Sequence, residues 1–248
     1  IAIDGDVIID AQAAAVDSQY AGIAAVALNG DATVDSGEVH TTATGLGGSG
    51  VVAMAVDLGS GGGNATVVTH DKISVDNGLY GAAAMAVGGN ASLTIGGDID
   101  PPDIGGAAMA IGGDADIDVL ADVSVEADNV GLLAAAIGGN VTIDADASSI
   151  ITSGDAGVIG SAIGGDVTID TGTVYANGVG LTGIGITGVA LGGDVNITTH
   201  NLTESAGLLG IFALADEDVN IDITDQTVNA LFGFGVVATA GGDVDVDG

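Results

Sequence analysis

Hydrophobic and polar residues alternate in short segments that recur along the whole chain. Each segment starts at an Asp or Asn, usually preceded by Gly-Gly, and continues as apolar, polar, apolar. We call this first Asp or Asn the anchor of its repeat. The ten anchors are Asp6, Asp31, Asn64, Asn90, Asp114, Asn140, Asp166, Asp194, Asp218 and Asp243. They are 24 to 33 residues apart, about 26 on average, and such a period is typical of stacked structural repeats.

Alternation with a period of two predicts β-strands, whose successive side chains point to opposite faces. The positions one and three residues after each anchor are apolar in all ten repeats, as in Val167 and Ile169, and we expect them to face a core. The anchor and the positions two and four residues after it are mostly polar, and we expect them to face solvent. A slip of one residue would bury the carboxylates, so the pattern sets the register.

Each repeat has room for three short strands separated by turns. The anchor strand comes first, a variable strand second and an Ala-rich strand third, as in residues 166–170, 173–176 (closed by an Asn-Gly turn) and 132–137. Three strands in about 26 residues describe one coil of a parallel β-helix. We therefore predict an all-β fold, a parallel β-helix (β-solenoid) of about ten coils, forming a single domain over residues 1–248. A sandwich or barrel is the alternative, but neither would keep this period over ten repeats.

Two features predict that copies of the chain associate. Small residues lie four and six positions before the anchors, and we expect them to face outward while Val87, Ile111, Ile137, Ile163 and Leu191 face inward. The small residues are Ala27, Ala25, Ala86, Ala84, Ala110, Ala108, Ala136, Ala134, Ala162, Gly160, Ala190 and Gly188. They would form an apolar strip suited to lateral packing; the alternative is an inert Ala/Gly surface.

Neither end carries a polar cap, which favours a fragment of a longer solenoid or a subunit stacked head to tail.

The composition agrees with two faces of opposite character. The chain has 34 Asp and Glu residues and one basic residue, Lys72, for a formal net charge of −33, yet its mean hydropathy is +0.58. One basic residue cannot neutralise phosphates, which excludes nucleic-acid binding as a main function, and an anionic bilayer would repel this surface. We also expect no membrane insertion, because the uncharged stretch 171–193 is one repeat unit rich in Gly, Thr and Asn.

The outward acidic residues form two columns of candidate metal ligands. They are the anchors Asp6, Asp31, Asp114, Asp166, Asp194, Asp218 and Asp243, and, four residues after an anchor, Asp10, Asp35, Asp118, Asp144, Asp170, Asp222 and Asp247. Carboxylates stacked about 4.8 Å apart repel each other by about 1 kcal/mol per pair in a water-like dielectric. A hard cation such as Ca²⁺, the one cofactor we consider, would relieve that repulsion. The alternative is an acidic face that is solvated in a saline medium.

The sequence does not favour an enzyme. His70 and His200 share a position in their repeats but are five coils apart, too far for one metal ion, so we expect these histidines and His40 to be exposed strand residues. The Asp residues recur along the repeats and form no singular constellation of polar residues. A glycan-binding or glycan-active β-helical protein is the alternative, since paired carboxylates can serve a glycoside hydrolase.

The segment Gly-Gly-Asp-Val-Thr-Ile-Asp at residues 164–170, followed by Gly-rich turns, resembles the passenger regions of bacterial autotransporters and related secreted β-helical adhesins. The resemblance extends over almost all ten repeats. It implies a right-handed β-helix that is secreted and displayed at the Gram-negative cell surface, with a role in adhesion, filament formation or a biofilm matrix. It also implies glycans or host cell surfaces as partners besides the chain itself.

Overall fold

The structure is a parallel β-solenoid, as the repeat predicts. It is a computed structural model that describes residues 1–42, 48–57, 59, 62–100, 103–224 and 226–248. The regular elements in these residues are 27 strands, numbered β1 to β27 in chain order, without a helix. Corresponding strands of successive coils pair in parallel, so the chain climbs one strand position with every repeat.

The first strands of the coils form a parallel sheet of ten strands, which we call the anchor sheet. They are β2 (Val7–Ala11), β5 (Ala32–Ser36), β8 (Ala65–Thr69), β11 (Ala91–Ile95), β14 (Ala115–Val119), β17 (Val141–Ala145), β20 (Val167–Thr171), β22 (Val195–Thr199), β24 (Val219–Asp222) and β27 (Val244–Asp247). Ten such strands delimit about nine complete coils, close to the ten that the anchors predict.

The second and third strands of the coils make up the other sheet, of 17 strands. The second strands are β3 (Val16–Ser18), β6 (Val39–Thr41), β9 (Ile73–Val75), β12 (Ile99–Asp100), β15 (Ser124–Ala127), β18 (Ile150–Ser153) and β25 (Val228–Ala230). The third strands are β1 (Ala2–Ile3), β4 (Ala21–Leu28), β7 (Ser49–Val56), β10 (Tyr80–Val87), β13 (Ile104–Ile111), β16 (Val130–Ile137), β19 (Ala156–Ile163) and β26 (Phe234–Ala240). β21 (Thr173–Leu191) and β23 (Thr203–Ala215) combine a second and a third strand.

One predicted turn is absent from the described chain. The Asn-Gly pair at 177–178 was expected to end a second strand, but β21 continues through it. Its pairing with β23 instead shifts register on both sides of Gly180. Glycine tolerates the irregular torsions that such shifts need, so the second and third strands of this coil join without a separate turn.

The core follows the alternation of the anchor strands. From the second to the ninth repeat, the residues one and three positions after each anchor are at most 2% exposed, from Ala32 and Val34 to Val219 and Ile221. They pack with the inner residues of the second and third strands in one continuous cluster. Burial of these aliphatic side chains stabilises the stack at roughly 25 cal/mol per Å² of apolar surface removed from water.

Glycine shapes two positions in most of the coils. At the Gly-Gly corner, Gly138 has a φ of +82°, a left-handed conformation that side chains disfavour. Within the third strand, a Cβ on Gly131 would lie 2.4 Å from Ile151 Cγ2 and 2.5 Å from the carbonyl oxygen of Gly157 in the next coil. The second position recurs as a column of glycines that the sequence argument overlooked, at Gly22, Gly50, Gly81, Gly105, Gly131, Gly157, Gly185, Gly210 and Gly235. It keeps the coil narrow where the second and third strands meet.

Candidate functional site

The anchor side chains form a ladder of hydrogen bonds between coils. The backbone N–H of each anchor from the second repeat onward donates to Oδ1 of the anchor one coil earlier, at 2.7 to 2.9 Å. The acceptors are Asp6, Asp31, Asn64, Asn90, Asp114, Asn140, Asp166, Asp194 and Asp218, and Asp243 is the last donor. The ladder therefore joins all ten repeats.

This ladder explains why either Asp or Asn can occupy the anchor. Both side chains present an oxygen at the Oδ1 position, and that oxygen is what the next coil's backbone needs. The adjacent glycine lets the acceptor approach, because a Cβ on Gly165 would lie 2.7 Å from Oδ1 of Asn140. Each proposed metal ligand in this column except Asp243 thus has one carboxylate oxygen engaged with backbone, which leaves Oδ2 for solvent or a cation.

The second acidic column is brought together in separate groups. Register places Asp10 beside Asp35, and Asp222 beside Asp247. A third group stacks Asp118, Asp144 and Asp170 in three successive coils. Val68, Thr94 and Thr198 occupy the same column between these groups. The column is therefore interrupted and does not form one continuous ladder of charge.

Two carboxyl groups in the fifth repeat have raised pKa values. Burial raises the pKa of Asp118, and the carboxylate of Asp144 raises it further. Burial also raises the pKa of Asp116, with a smaller contribution from Asp114 and an opposing one from its hydrogen bond with Thr142. Burial on this part of the anchor sheet, and to a smaller extent the neighbouring carboxylates, therefore disfavours the charged forms of Asp116 and Asp118. Among the described residues no group of three or more His, Cys, Asp or Glu side chains is arranged to hold a metal ion, and Ca²⁺ binding stays a prediction.

Two histidines each contact an aspartate of the preceding coil. His70 Nε2 lies 2.7 Å from Asp35 Oδ1, and His200 Nε2 lies 2.7 Å from Asp170 Oδ1. Both carboxylate oxygens are shielded from solvent and have no hydrogen-bond partner among the described residues, so the contact is an ion pair only when the imidazole is protonated. The side chains of both histidines are 46% exposed. The exposure of His70 and His200 agrees with the expectation from the sequence. Their pairing with Asp35 and Asp170 was not predicted, although the shared positions of these residues in their repeats could have indicated it.

The two copies of this pair have different surroundings. Asp35 also accepts a hydrogen bond from Gln12 Nε2 in the first coil. Near His200, the pKa of Asp146 is lowered by hydrogen bonds from the backbone and side chain of Ser148, and further by the imidazole. The pKa of Asp222 is lowered in the same way, by Thr224 and then by His200.

The apolar strip exists, but its orientation is the reverse of the prediction. The small residues face the core: Ala25, Ala27 and Ala134 are fully buried. The large residues next to them face outward: Val87 is 37% exposed, Ile111 51%, Ile137 50%, Ile163 49% and Leu191 42%. The reason is space, since even at Gly160 a Cβ would lie 2.8 Å from Val167 Cγ1 of the anchor sheet. At these two positions the interior accepts only Ala or Gly, whereas earlier on the third strands it holds Leu132, Ile186 and Ile211.

We call the outward face of the third strands the apolar strip. Its central part holds a groove of about 370 Å³, whose lining residues are Met54, Ala55, Val56, Met85, Ala86, Val87, Met109, Ala110, Ile111, Ala135 and Ile137. The seven strands β4, β7, β10, β13, β16, β19 and β21 contain no charged residue. In a chain with 34 acidic residues, this strip keeps a long surface free of charge.

Comparisons with protein-family models, with curated proteins and with solved structures return no match for this chain. In the described ranges, no helix has the length and apolar character required to cross a bilayer. The candidate sites therefore have to be interpreted from their own geometry and chemistry.

Proposed function

We propose that the protein is a structural β-solenoid that associates laterally with a second copy of itself through the apolar strip. The observation that carries the proposal is the ladder of half-exposed aliphatic side chains from Val87 to Leu191, one in each of five successive coils. Large contiguous apolar surfaces on a water-soluble protein mark sites of contact. A role outside the cell, in an adhesin, a filament or a biofilm matrix, is the setting we propose for such assembly.

A second copy fits this surface better than other occupants. The groove offers Met, Ala, Val and Ile side chains, which provide dispersion contacts but do not bind the hydroxyl groups of a glycan. A chain of net charge −33 is repelled by an anionic bilayer. Two copies can bring their uncharged strips together while the acidic anchor sheets remain turned away. Salt would favour this pairing, because it screens the remaining repulsion between the two copies.

The size of the strip predicts weak pairing. Seven coils extend about 34 Å along the solenoid, and the outward positions span about 13 Å across each strand. A pair would then bury about 900 Å² in total, which is below the range of stable complexes and within that of transient ones. A longer array of identical coils, or several copies packed side by side, would strengthen the association through avidity.

Sedimentation velocity over a micromolar to millimolar concentration series tests the proposal. We expect reversible association that strengthens with added NaCl, and electron microscopy of the same samples would distinguish pairs from filaments. The Ile137→Thr variant should weaken association, because it places a hydroxyl in the strip and keeps a β-branched strand residue.

Ile150→Thr is the matched control, because Ile150 is 43% exposed on a second strand outside the strip. It should associate like the unmodified protein. A chain that stays monomeric throughout, or equal effects of the two substitutions, would contradict lateral pairing through this face. Binding in a glycan screen without self-association would favour the glycan-binding alternative.

A further inference from the structure

The three methionines of the chain come together at one place on the apolar strip. Met54, Met85 and Met109 are the only methionines among the 248 residues. Register aligns Met54 with Met85, and Met85 with Met109, in β7, β10 and β13. All three line the same groove and are partly exposed. Three thioethers thus follow one another in three neighbouring strands.

We propose that this methionine ladder is a binding site for a soft monovalent metal ion of the Cu(I) class. Thioether sulfur is a soft ligand that selects Cu(I), whereas carboxylates prefer Ca²⁺, Mg²⁺ and Mn²⁺. The chain has no cysteine to compete for a soft ion. Because carboxylates prefer hard cations, the many Asp and Glu side chains compete weakly for a soft ion. The acidic face would then bind hard cations, and the methionine ladder soft ones.

The geometry permits the three sulfurs to share one ion. Neighbouring strands are about 4.8 Å apart. Metal–sulfur bonds of about 2.3 Å in a trigonal site place the sulfurs about 4 Å from one another. Methionine has a flexible unbranched side chain, so Met54 and Met109 can lean toward Met85 from either side. Met54 and Met109 are two strand spacings, about 9.6 Å, apart, so each of their sulfurs must move about 3 Å toward Met85 through a change of side-chain rotamer, without any change in the backbone.

The residues around the thioethers suit such an ion. Ala83 and Ala107 lie two residues before Met85 and Met109 on the same strand face, and both are fully buried. In the next coil the ladder ends at Ala135, whose small side chain leaves the groove open. An apolar groove of this kind contributes few water ligands, which favours an ion of low charge.

Silver(I) is a redox-inert probe for this site, and isotope-labelled methionine methyl groups report on it directly. Because the chain has three methionines, the methyl spectrum has three methionine signals. Titration with silver nitrate should shift all three together and saturate at one ion per chain. Anaerobic Cu(I), delivered in competition with a chromogenic chelator, should bind with the same stoichiometry.

Two variants separate this site from the association proposed above. Met85→Leu keeps the strip apolar and removes the central sulfur, so it should abolish saturable Ag(I) binding. Ile163→Thr, on the strip but not among the groove residues, should retain Ag(I) binding and weaken association. The proposal is overturned if the methyl signals do not move, if only one signal moves, or if Met85→Leu binds Ag(I) as tightly as the parent chain.

Discussion

The hydrogen-bond ladder predicts that an anchor aspartate can lose its charge but not its oxygen. Asp166 is the test position, since its Oδ1 accepts the N–H of Asp194 at 2.9 Å and its own N–H donates to Asn140 Oδ1 at 2.9 Å. Asp166→Asn keeps the acceptor, as at the three natural Asn anchors. Asp166→Ala removes it and leaves the Asp194 N–H without that partner. The two variants therefore separate the acceptor from the charge.

The magnitudes follow from the same contacts. Loss of a hydrogen bond to a charged acceptor costs about 1.5–3 kcal/mol, less where water replaces the acceptor, so we expect Asp166→Ala to destabilise by about 1–2 kcal/mol. In Asp166→Asn the hydrogen bond weakens by about 1 kcal/mol. Relief of repulsion from the next anchor, Asp194, about 4.8 Å away, returns about 1 kcal/mol. The Asn variant should therefore unfold close to the parent chain.

Urea unfolding followed by circular dichroism measures both variants without adding salt. Thr168→Ala, an exposed change two residues further on the same strand, serves as the control and should have little effect. If Asp166→Asn destabilises as much as Asp166→Ala, the charge matters more than the acceptor, and the hydrogen-bond interpretation fails. Repeating the series with Ca²⁺ and with a chelator tests the calcium hypothesis, which an unchanged midpoint would contradict.

Two further predictions concern charge and space. Because the pKa of Asp118 is raised, its contribution to stability is present at low pH and is lost as the pH rises through that pKa. Asp118→Asn should therefore raise the melting temperature at pH 7 and not in acid. The pKa of Asp146 is lowered, so its charged form stabilises the fold at pH values above the ordinary pKa of Asp, and this stabilisation is lost as the pH falls. Asp146→Asn should therefore lower the melting temperature at pH 7 and not in acid. Melting temperatures that change in the opposite directions would contradict both assignments. Gly131→Ala should destabilise more than Gly138→Ala, since its Cβ would meet backbone at 2.5 Å and that of Gly138 meets its nearest atom at 3.8 Å; equal losses in urea unfolding would argue against the close contact.

The sequence was sufficient for the first strand of each coil. Polar and apolar positions alternate there with strongly different side chains, such as Asp166, Val167, Thr168 and Ile169, so only one register buries the apolar set. The period of about 26 residues then required a stack of similar coils. Both inferences depend on local chemistry that repeats, and the structure agrees with them from coil to coil.

The third strand could not be oriented in the same way. Both of its faces are apolar, as in β16, where Ala134 and Ala136 alternate with Ala135 and Ile137. Hydrophobicity alone assigns the larger residue to the core. The closed cross-section of the coil reverses this assignment, because the space between the last part of this strand and the anchor sheet holds only Ala or Gly.

Contacts between coils also required the tertiary structure. The anchor ladder and the pairing of His70 with Asp35 join residues 24 to 35 positions apart, and their partners depend on the length of the intervening coil. The sequence by itself determined which residues repeat and which anchor-strand face they occupy, because side-chain alternation is a property of a single strand. The folded stack alone decided which oxygen meets which N–H and which apolar side chains remain outside, because both depend on the distance between neighbouring coils and on the width of the coil.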